Sequence, residues 1–578
     1  MFFRYYAGAT SLIARHYSLK ALGLGLTLLA LGGEVVGEPL RYAVEDFKGA
    51  NDREKINQAL QAMVGVKGPK ELVFQCREYQ IESASTKSFE PVLGVSNLID
   101  ITLAGNGAVL VAKNQLEQEM GTFFKLSNFK NLTIKDLSLT FRPLPFVQGL
   151  IVAVDQSKNV VDLALDEKFK GWQEINGFTP NSKLWCRVGQ KAHPAWPKAH
   201  SPSWLGASFV PLKEQSEEHL KKGIIRVRAG KFDLNKTING TYNWSLGDPM
   251  VIWKRGAQDG FCFEVGEGLI LKNIHIDSAL HYSLKCRGIV DGIIENCTIQ
   301  PVEGGMLSGC ADGIDLQQSI RVTVTNCQIH SNGDDGISLL NHAQHGYNGE
   351  HGERKLGSPY PETNQWITIT NNWLSGGNRN GLLILASQVN ISNNLVEQTR
   401  QYGLKFCGDN TQIIGNTFRE LASFAAYRHI DDELNTGVIC SDEWLQKDTV
   451  IANNTLVGWH NMPGILLKSL KNARVIDNIL SVGDENRLRV TPINPDMTKI
   501  SAIAVVSGYY GDKNIPCVNI LVENNRVVKN RFWSKFSESA MLQTTTGISC
   551  GNNQVLTALP QHLGDLPFKA KIQVGSAP

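Results

Sequence analysis

The segment Asp312-Gly-Ile-Asp-Leu-Gln-Gln-Ser-Ile-Arg-Val-Thr-Val-Thr-Asn326 and its continuation Cys327-Gln-Ile-His-Ser-Asn-Gly-Asp-Asp-Gly-Ile-Ser-Leu-Leu340 carry one repeat and the start of the next. Val322-Thr-Val-Thr-Asn326 is a short strand pattern, apolar at every second residue, that stops at asparagine. The unit returns as Leu-Ile-Leu-Lys-Asn273, Ile-Ile-Glu-Asn296, Ile-Thr-Ile-Thr-Asn371, Val-Asn-Ile-Ser-Asn393, Ile-Ile-Gly-Asn416, Val-Ile-Ala-Asn453, Val-Ile-Asp-Asn478 and Leu-Val-Glu-Asn524. The shortest spacings are about 22 to 25 residues, and longer ones read as one repeat plus an insertion. A second ladder keeps the same phase, with a glycine near each strand start. It reads Asp312-Gly-Ile-Asp-Leu, Asp335-Gly-Ile-Ser-Leu, Asn380-Gly-Leu-Leu-Ile, Tyr402-Gly-Leu-Lys-Phe, Thr436-Gly-Val-Ile-Cys and Pro463-Gly-Ile-Leu-Leu. Each coil of such a chain buries its inward side chains against the coils above and below. Asparagine at the strand end turns the backbone and is placed to hydrogen-bond to its equivalent one coil on. Two ladders in phase, without the leucine pattern of a leucine-rich repeat, predict an all-β fold, a right-handed parallel β-helix.

Composition narrows the function. The chain has 578 residues, too many for one ordinary core, and 54 of them are glycine, as frequent turning requires. Its 57 basic residues balance 55 acidic ones, which argues against a nucleic-acid partner or a basic membrane patch. Arg4, Arg15 and Lys20 precede an apolar stretch, Ala21 to Leu31, that is too short to span a bilayer. Val35-Val-Gly37 before Glu38 suits signal peptidase, so residues 1–37 are expected to be a signal peptide. The protein is then exported, to the periplasm or outside the cell, with no stable membrane insertion after cleavage. Cys286, Cys297, Cys327 and Cys440, four of eleven cysteines, sit inside apolar strand patterns and read as stacked core thiols. No Cys-x-x-Cys pair suggests zinc.

Residues 38–145 are expected to hold the N-terminal cap and first coils. Asn51-Asp-Arg-Glu-Lys-Ile-Asn-Gln-Ala-Leu60 is a capped amphipathic helix, suited to covering the open end of the stack. Over 146–256 the repeat stops. Val152-Ala-Val-Asp, Val161-Asp-Leu-Ala-Leu and Ile224-Ile-Arg-Val-Arg read there as strands of a small, barrel-like inserted β-domain. It carries Trp172, Trp185, Trp196, Trp204, Trp244 and Trp253, which fill a small core or stack against sugar faces. The main helix with its active-site cleft, and a C-terminal tail, occupy 257–578.

The ladders turn spacing into geometry. Asp312 and Asp335 hold one ladder position on consecutive coils, and adjacent strands lie about 4.8 Å apart. Asp334 immediately precedes Asp335, so three carboxylates gather on one face, with Asp315 further along the first strand. Like charges this close raise at least one pKa. An acid beside an ionised carboxylate is the pairing that glycosidic cleavage uses. A repeated structural Asp-Gly turn, or a calcium site between coils, would use the same residues. Lys285 and Lys405 share a ladder position with Asp315 and Ser338, pointing out of the same sheet. With Arg379, Asn380 and Tyr402 on the following coils, Asp315, Lys285 and Lys405 make up the candidate substrate-binding set. His342, His345 and His351, with Arg354 and Lys355, lie in a glycine-rich insertion placed to overhang the site; their spacing matches no metal motif, and no metal is expected.

Ala311-Asp-Gly-Ile-Asp315 followed by Gly333-Asp-Asp-Gly-Ile337 resembles the β-helical polygalacturonase family of glycoside hydrolases, which share the pectin-lyase-like fold. The opening Ala43-Val-Glu-Asp-Phe-Lys-Gly-Ala-Asn-Asp52 is similar to the start shared by pectin-acting β-helix proteins. The resemblance implies that Asp334 is the general acid, while Asp312 and Asp335 hold and activate water in an inverting reaction. The chain departs where that family carries Gly-His-Gly, reading Arg379-Asn-Gly381, and where it carries Arg-Ile-Lys, reading Lys405-Phe-Cys407. In layout, with its inserted domain and its stretch from Gly247 to Asp335, it also resembles β-helical α-1,3-galactosidases, though Ser338 and Leu340 replace the Asn and His of that group. The expectation is a secreted glycoside hydrolase, exo-acting and α-galactosidase-like, that takes a poly- or oligosaccharide without cofactor. The alternatives are a polysaccharide lyase, with Ca²⁺ held by the aspartates and Lys405 as base, and a non-catalytic glycan-binding β-helix.

Overall fold

The computed structural model describes residues 38–82, 91–113, 122–155, 157–158, 160–168, 184–189, 191, 207–209, 218, 222–229, 246–253, 259–340, 364–421, 437–441, 445–459, 462–482, 501–510, 513–529, 540–542 and 546–558. The expected signal peptide, Trp172, Trp196, Trp204, Trp244, the histidine-bearing insertion and the end of the C-terminal tail lie outside these residues.

From Phe261 onward the chain winds through three parallel sheets. The strands Leu284–Glu295, Ile314–Gln317, Ile337–Leu340, Leu382–Ser387, Leu404–Cys407, Ile439–Ser441, Ile465–Lys468 and Ile503–Val506 stack in register and form what we call the cleft sheet. Strand alternation sends Ile314, Leu316, Ile337 and Leu339 into the core, where none keeps exposed surface. The same alternation turns Lys285, Asp315, Ser338, Leu383 and Lys405 outward as one column. The core runs without interruption from the N-terminal coils to Val527. This is the parallel β-helix that the ladders predict.

The asparagines divide between two tasks, where the sequence suggested one. Asn326, Asn371, Asn393, Asn453 and Asn524 sit at φ between 54° and 58°, the left-handed region in which asparagine turns a chain cheaply. Stacking falls to the next position, through Asn372, Asn394, Asn416, Asn454, Asn478, Asn525 and Asn553. From Asn394 onward each Oδ1 accepts the backbone N–H and the amide of the asparagine on the previous coil, as in Asn394 to Asn416 at 3.0 and 2.9 Å, while Asn372 Oδ1 accepts from Cys327 N–H at 2.9 Å. Each Nδ2 also donates to a main-chain carbonyl, as Asn394 does to Ile369 O at 2.9 Å. The left-handed residue swings its own side chain outward and its successor's inward, so only the successor meets its equivalents. Earlier in the stack this inward position holds Ile274, Cys297 and Cys327, all buried, so the thiols are packing groups there. No disulfide joins the cysteines of the described residues.

The helix Asp52–Ala62 begins at Asn51, whose side chain accepts from Glu54 N–H at 2.9 Å. Ile56, Ala59 and Leu60 enter the common core. Asn57 fixes the helix to the first coils, donating to Val92 O and accepting from Gly94 N–H, both at 3.1 Å. The chain then leaves the stack between Arg142 and Asp259. Phe146–Asp155, Val160–Leu165, Trp185–Val188, Ala207–Phe209, Ile224–Ala229 and Pro249–Trp253 form a six-stranded antiparallel sheet. The helix closes up beneath it, because Phe261–Lys272 pairs directly with the strand Phe124–Arg142.

The inserted sheet rests on the loop that leads to Asp312. Phe146, Val251 and Trp253 pack against Met306, Leu307 and Cys310, and the Trp253 indole N–H donates to Cys310 O at 3.2 Å. Gln148 clasps the same loop, donating to Gly304 O at 2.7 Å and accepting from Met306 N–H at 2.8 Å. Arg187, with no exposed surface, donates to Met306 O and Gly376 O. Of the six tryptophans of the insertion the two that are described, Trp185 and Trp253, serve this packing.

The asparagine assignment separates two neighbours. Asn394→Ala removes the acceptor of two hydrogen bonds and leaves buried donors unpaired, which costs about 1–3 kcal/mol for each such group. Thermal denaturation is expected to show a fall of several degrees for Asn394→Ala and little change for Asn393→Gly, because φ of 57° suits glycine.

Candidate active site

The residues preceding the ladder glycines form a second column beside the outward one. Gly313 N–H donates to Asp335 O at 3.0 Å, Gly336 N–H to Asn380 O at 2.9 Å, and Gly381 N–H to Tyr402 O at 3.0 Å. The glycines are required by the closeness of the coils. A Cβ at Gly336 would stand 2.6 Å from Gly381 O, and one at Gly313 would stand 2.7 Å from Gly336 O. A third column places Asp334 between Ala311 and Arg379. These columns bring the three aspartates together: one carboxylate oxygen from each of Asp312, Asp334 and Asp335 lies within 4.8 Å of the others.

All three are buried, Asp334 being the most exposed at 6 %. Asp312 is held as an acceptor at both oxygens, taking Asp335 N–H at 3.1 Å and the Ser338 hydroxyl at 2.7 Å. Asp335 accepts from Asn380 N–H at 3.0 Å. Burial, and then the charges of Asp334 and Asp312, push the Asp335 carboxyl well above the usual range. The Arg379 guanidinium stands 3.8 Å from Asp334. The site therefore favours the protonated form of Asp335 beside two further carboxyls.

The substrate-binding candidates take different places. Lys285 and Arg379 are partly exposed beside the cluster. Lys405 is also partly exposed, its ammonium 5.7 Å from the centre of the Tyr402 ring, while Tyr402 itself is almost covered. Asp315 has no exposed surface, and its oxygens meet Gln317 Nε2 at 2.6 Å and Ser338 Oγ at 3.0 Å. Asn380 is 1 % exposed and braces Asp335 through its backbone. Neither Asp315 nor Asn380 offers a substrate a free face; pointing out of the sheet does not mean reaching solvent where neighbouring columns fill the cleft floor.

Sequence reading overlooked Asp259. It occupies the same column as Asp312, since Gly260 N–H donates to Tyr282 O and Ser283 N–H to Asp312 O. Asp259-Gly-Phe-Cys-Phe repeats the ladder motif and was the available signal. Its carboxylate meets His281 Nδ1 at 2.8 Å and Lys285 Nζ at 3.3 Å. Burial alone would raise Asp259, but the His281 hydrogen bond and the Lys285 charge bring it below the usual range.

The trio could also touch a cation. Calcium takes six to eight oxygens, and one oxygen from each of three carboxylates supplies at most half such a shell. One Asp312 oxygen is moreover engaged by Ser338.

The Asp259 pair gives a pH signature. Its depressed carboxyl adds stability above the unfolded-state pKa, and this is lost as pH falls through the folded-state value. Lys285→Met is therefore expected to lower the thermal midpoint at neutral pH and to approach the parent below about pH 4. Melting curves across pH check this; a loss independent of pH would remove the Asp259 charge from the explanation.

Comparison with known proteins comes to the same architecture. No curated protein matches the chain in sequence. Among solved structures, the family 28 exopolygalacturonase of Yersinia enterocolitica is similar over 90 % of this chain and 79 % of its own, at 12 % identity and a TM-score of 0.39. An exopolygalacturonase from Thermotoga maritima is similar over 90 % of this chain and 94 % of its own, at 11 % identity and a TM-score of 0.41. The surface adhesin PfbA of Streptococcus pneumoniae is similar over 89 % and 91 %, at 11 % identity and a TM-score of 0.39. Likenesses this distant carry no argument. Residues 254–418, which contain Asp259, Asp312, Asp315, Asp334 and Asp335, match the family described as the right-handed β-helix region, and the fold is a right-handed parallel β-helix.

Proposed function

We propose that the chain is an exported glycoside hydrolase that cleaves poly- or oligosaccharides with Asp312, Asp334 and Asp335. The observation that carries this reading is the meeting of three buried carboxylates within 4.8 Å, beside partly exposed Arg379. Close like charges in a buried site hold a proton that a leaving oxygen can take, while Asp312, receiving two hydrogen bonds, is suited to stay ionised. Asp334, the most exposed of the trio and the acid that the motif resemblance implies, delivers the proton that it shares with its crowded neighbour Asp335. Asp312 and Asp335 hold the attacking water.

The substrate is a neutral or lightly charged glycan attacked at its end, as by an exo-acting α-galactosidase-like enzyme. Beyond Lys405 the outward column continues as Cys440, Leu466 and Ala504, which are buried and cluster with Tyr402 and Val506. Among the described residues the column thus turns from polar to buried apolar side chains directly after Lys405, which favours a terminal sugar. Inversion is expected from the motif resemblance. The trio's nearest oxygens lie within 4.8 Å, closer than the roughly 6.5–9.5 Å of most inverting pairs and nearer the roughly 5–5.5 Å of retaining ones, so the anomer of the product decides between the two.

Mass spectrometry of products from a panel of plant, algal and host glycans tests the reading. Products bearing one added water are expected, unaffected by chelator, with turnover lowered about 10²- to 10⁴-fold by Asp334→Asn. Unsaturated products lost with chelator would assign a calcium-dependent lyase, and glycan binding without turnover would assign a binder. Proton NMR of the first-formed sugar is expected to show the anomer opposite to that of the substrate; the same anomer would make one aspartate a nucleophile.

A further inference from the structure

Ser338 poses a problem of proton counting. Its hydroxyl, with no exposed surface, lies 2.7 Å from Asp312 Oδ2 and 3.0 Å from Asp315 Oδ1. A hydroxyl has one hydrogen and can donate to only one of them. If both carboxyls were ionised, the second contact would set two bare oxygens against each other in a dry site. One carboxyl must therefore donate to Ser338 Oγ. Asp312 is the acceptor, because its other oxygen already takes Asp335 N–H at 3.1 Å. Asp315 has an amide, Gln317 Nε2, on one oxygen and Ser338 on the other.

We propose that Asp315 is a resident carboxylic acid which donates to Ser338, whose hydroxyl in turn donates to Asp312 and so fixes it as an oriented carboxylate. Asp315 and Ser338 are positioning residues that act through Asp312. The surroundings agree. Burial, and then the charge of Asp312, push Asp315 up to about 8. The groups facing it are Lys285 on the preceding coil, whose charge opposes this, the buried Cys286 thiol, and Ser338 on the following coil. Lys285 is already engaged by Asp259 at 3.3 Å. The consequence for turnover rests on the hydrolytic reading; the location of the proton does not.

Three measurements on the full chain separate the two. Infrared difference spectra of the parent against Asp315→Asn are expected to show, at neutral pH, one protonated carboxyl band beyond that of Asp335, and this band is expected to shift in Ser338→Ala. Stability gives a second readout free of substrate. The folded-state pKa of Asp315 is raised, so the folded chain binds more protons and stability falls as pH rises from about 4 to about 8. Asparagine mimics the protonated acid without titrating. The thermal midpoint of Asp315→Asn is therefore expected to gain on the parent across that window and to run parallel above it. Carboxyl absorption undiminished in Asp315→Asn, or parallel profiles throughout, would overturn the proposal.

On a glycan that the enzyme turns over, Ser338→Ala is expected to lower kcat about tenfold at unchanged KM, the scale of one charge-assisted hydrogen bond. Ser338→Thr should restore it, and Asp315→Asn should move the alkaline limb of kcat to higher pH. Unchanged kcat and pH profile would refute the positioning role while leaving the hydrolytic reading intact. A resident proton with no turnover of any glycan would fail that reading alone.

Discussion

Parallel stacking in register sets the terms for everything else in this molecule. Successive coils lie about 4.8 Å apart, so a residue at one rung meets its equivalents above and below at van der Waals or hydrogen-bond distance. For apolar residues the repetition is favourable, and a single core results. For amides it is favourable too, because an asparagine both donates and accepts. For carboxylates it is costly unless protons or cations intervene. The Asp259–Tyr282–Asp312–Asp335–Asn380–Tyr402 column shows both remedies. Asp259 is offset by Lys285 and His281, while Asp335 is driven toward its protonated form. A stack that forces like onto like thus creates acids of unequal strength from one residue type, the condition acid–base chemistry needs.

The readable part of the sequence was the part governed by that repetition. Alternation of two residues fixed the inward faces, and the glycine ladder marked where the coils crowd, because Gly313 and Gly336 leave no room for a Cβ. Reading failed where a difference of one residue matters. Asn371 and Asn372 are adjacent and chemically identical, yet one turns the chain at φ 58° and the other stacks. Only backbone conformation separates them. Asp259 was overlooked because its motif directly follows the insertion, outside the run of repeats that gave the ladder its phase. Asp315 and Asn380 were placed on the correct face but not at the correct depth, since exposure depends on neighbouring columns that a single strand pattern does not contain.

The insertion belongs to the same argument. A β-helix positions its strands rigidly, but the loop before Asp312 lies between strands and needs its own support. Gln148, Trp253 and Arg187 supply it from the inserted sheet, and Arg187 also reaches Gly376, close to the turn that carries Arg379 and Asn380. Burial lowers the Arg187 pKa to about 9, a measure of how thoroughly that side chain is withdrawn from water. A buried arginine held by main-chain carbonyls is costly to place, and it joins the loops of two different coils at the edge of the aspartate cluster.

With the backbone so constrained, chemical differences between proteins of this architecture must come from side chains at fixed rungs. The rung above Asp315 illustrates the leverage. A hydrocarbon there would leave Asp312 and Asp315 to settle their charges across an apolar gap. Ser338 instead joins them at 2.7 and 3.0 Å and makes the protonation of one the condition for the orientation of the other. Because the register is set by the whole stack, neither backbone can draw away from the hydroxyl without breaking main-chain hydrogen bonds to the adjacent coils. Rigidity of this kind turns one serine into a determinant of charge on its neighbours, and the same logic applies to Asn380, where an amide backbone rather than a second acid meets Asp335.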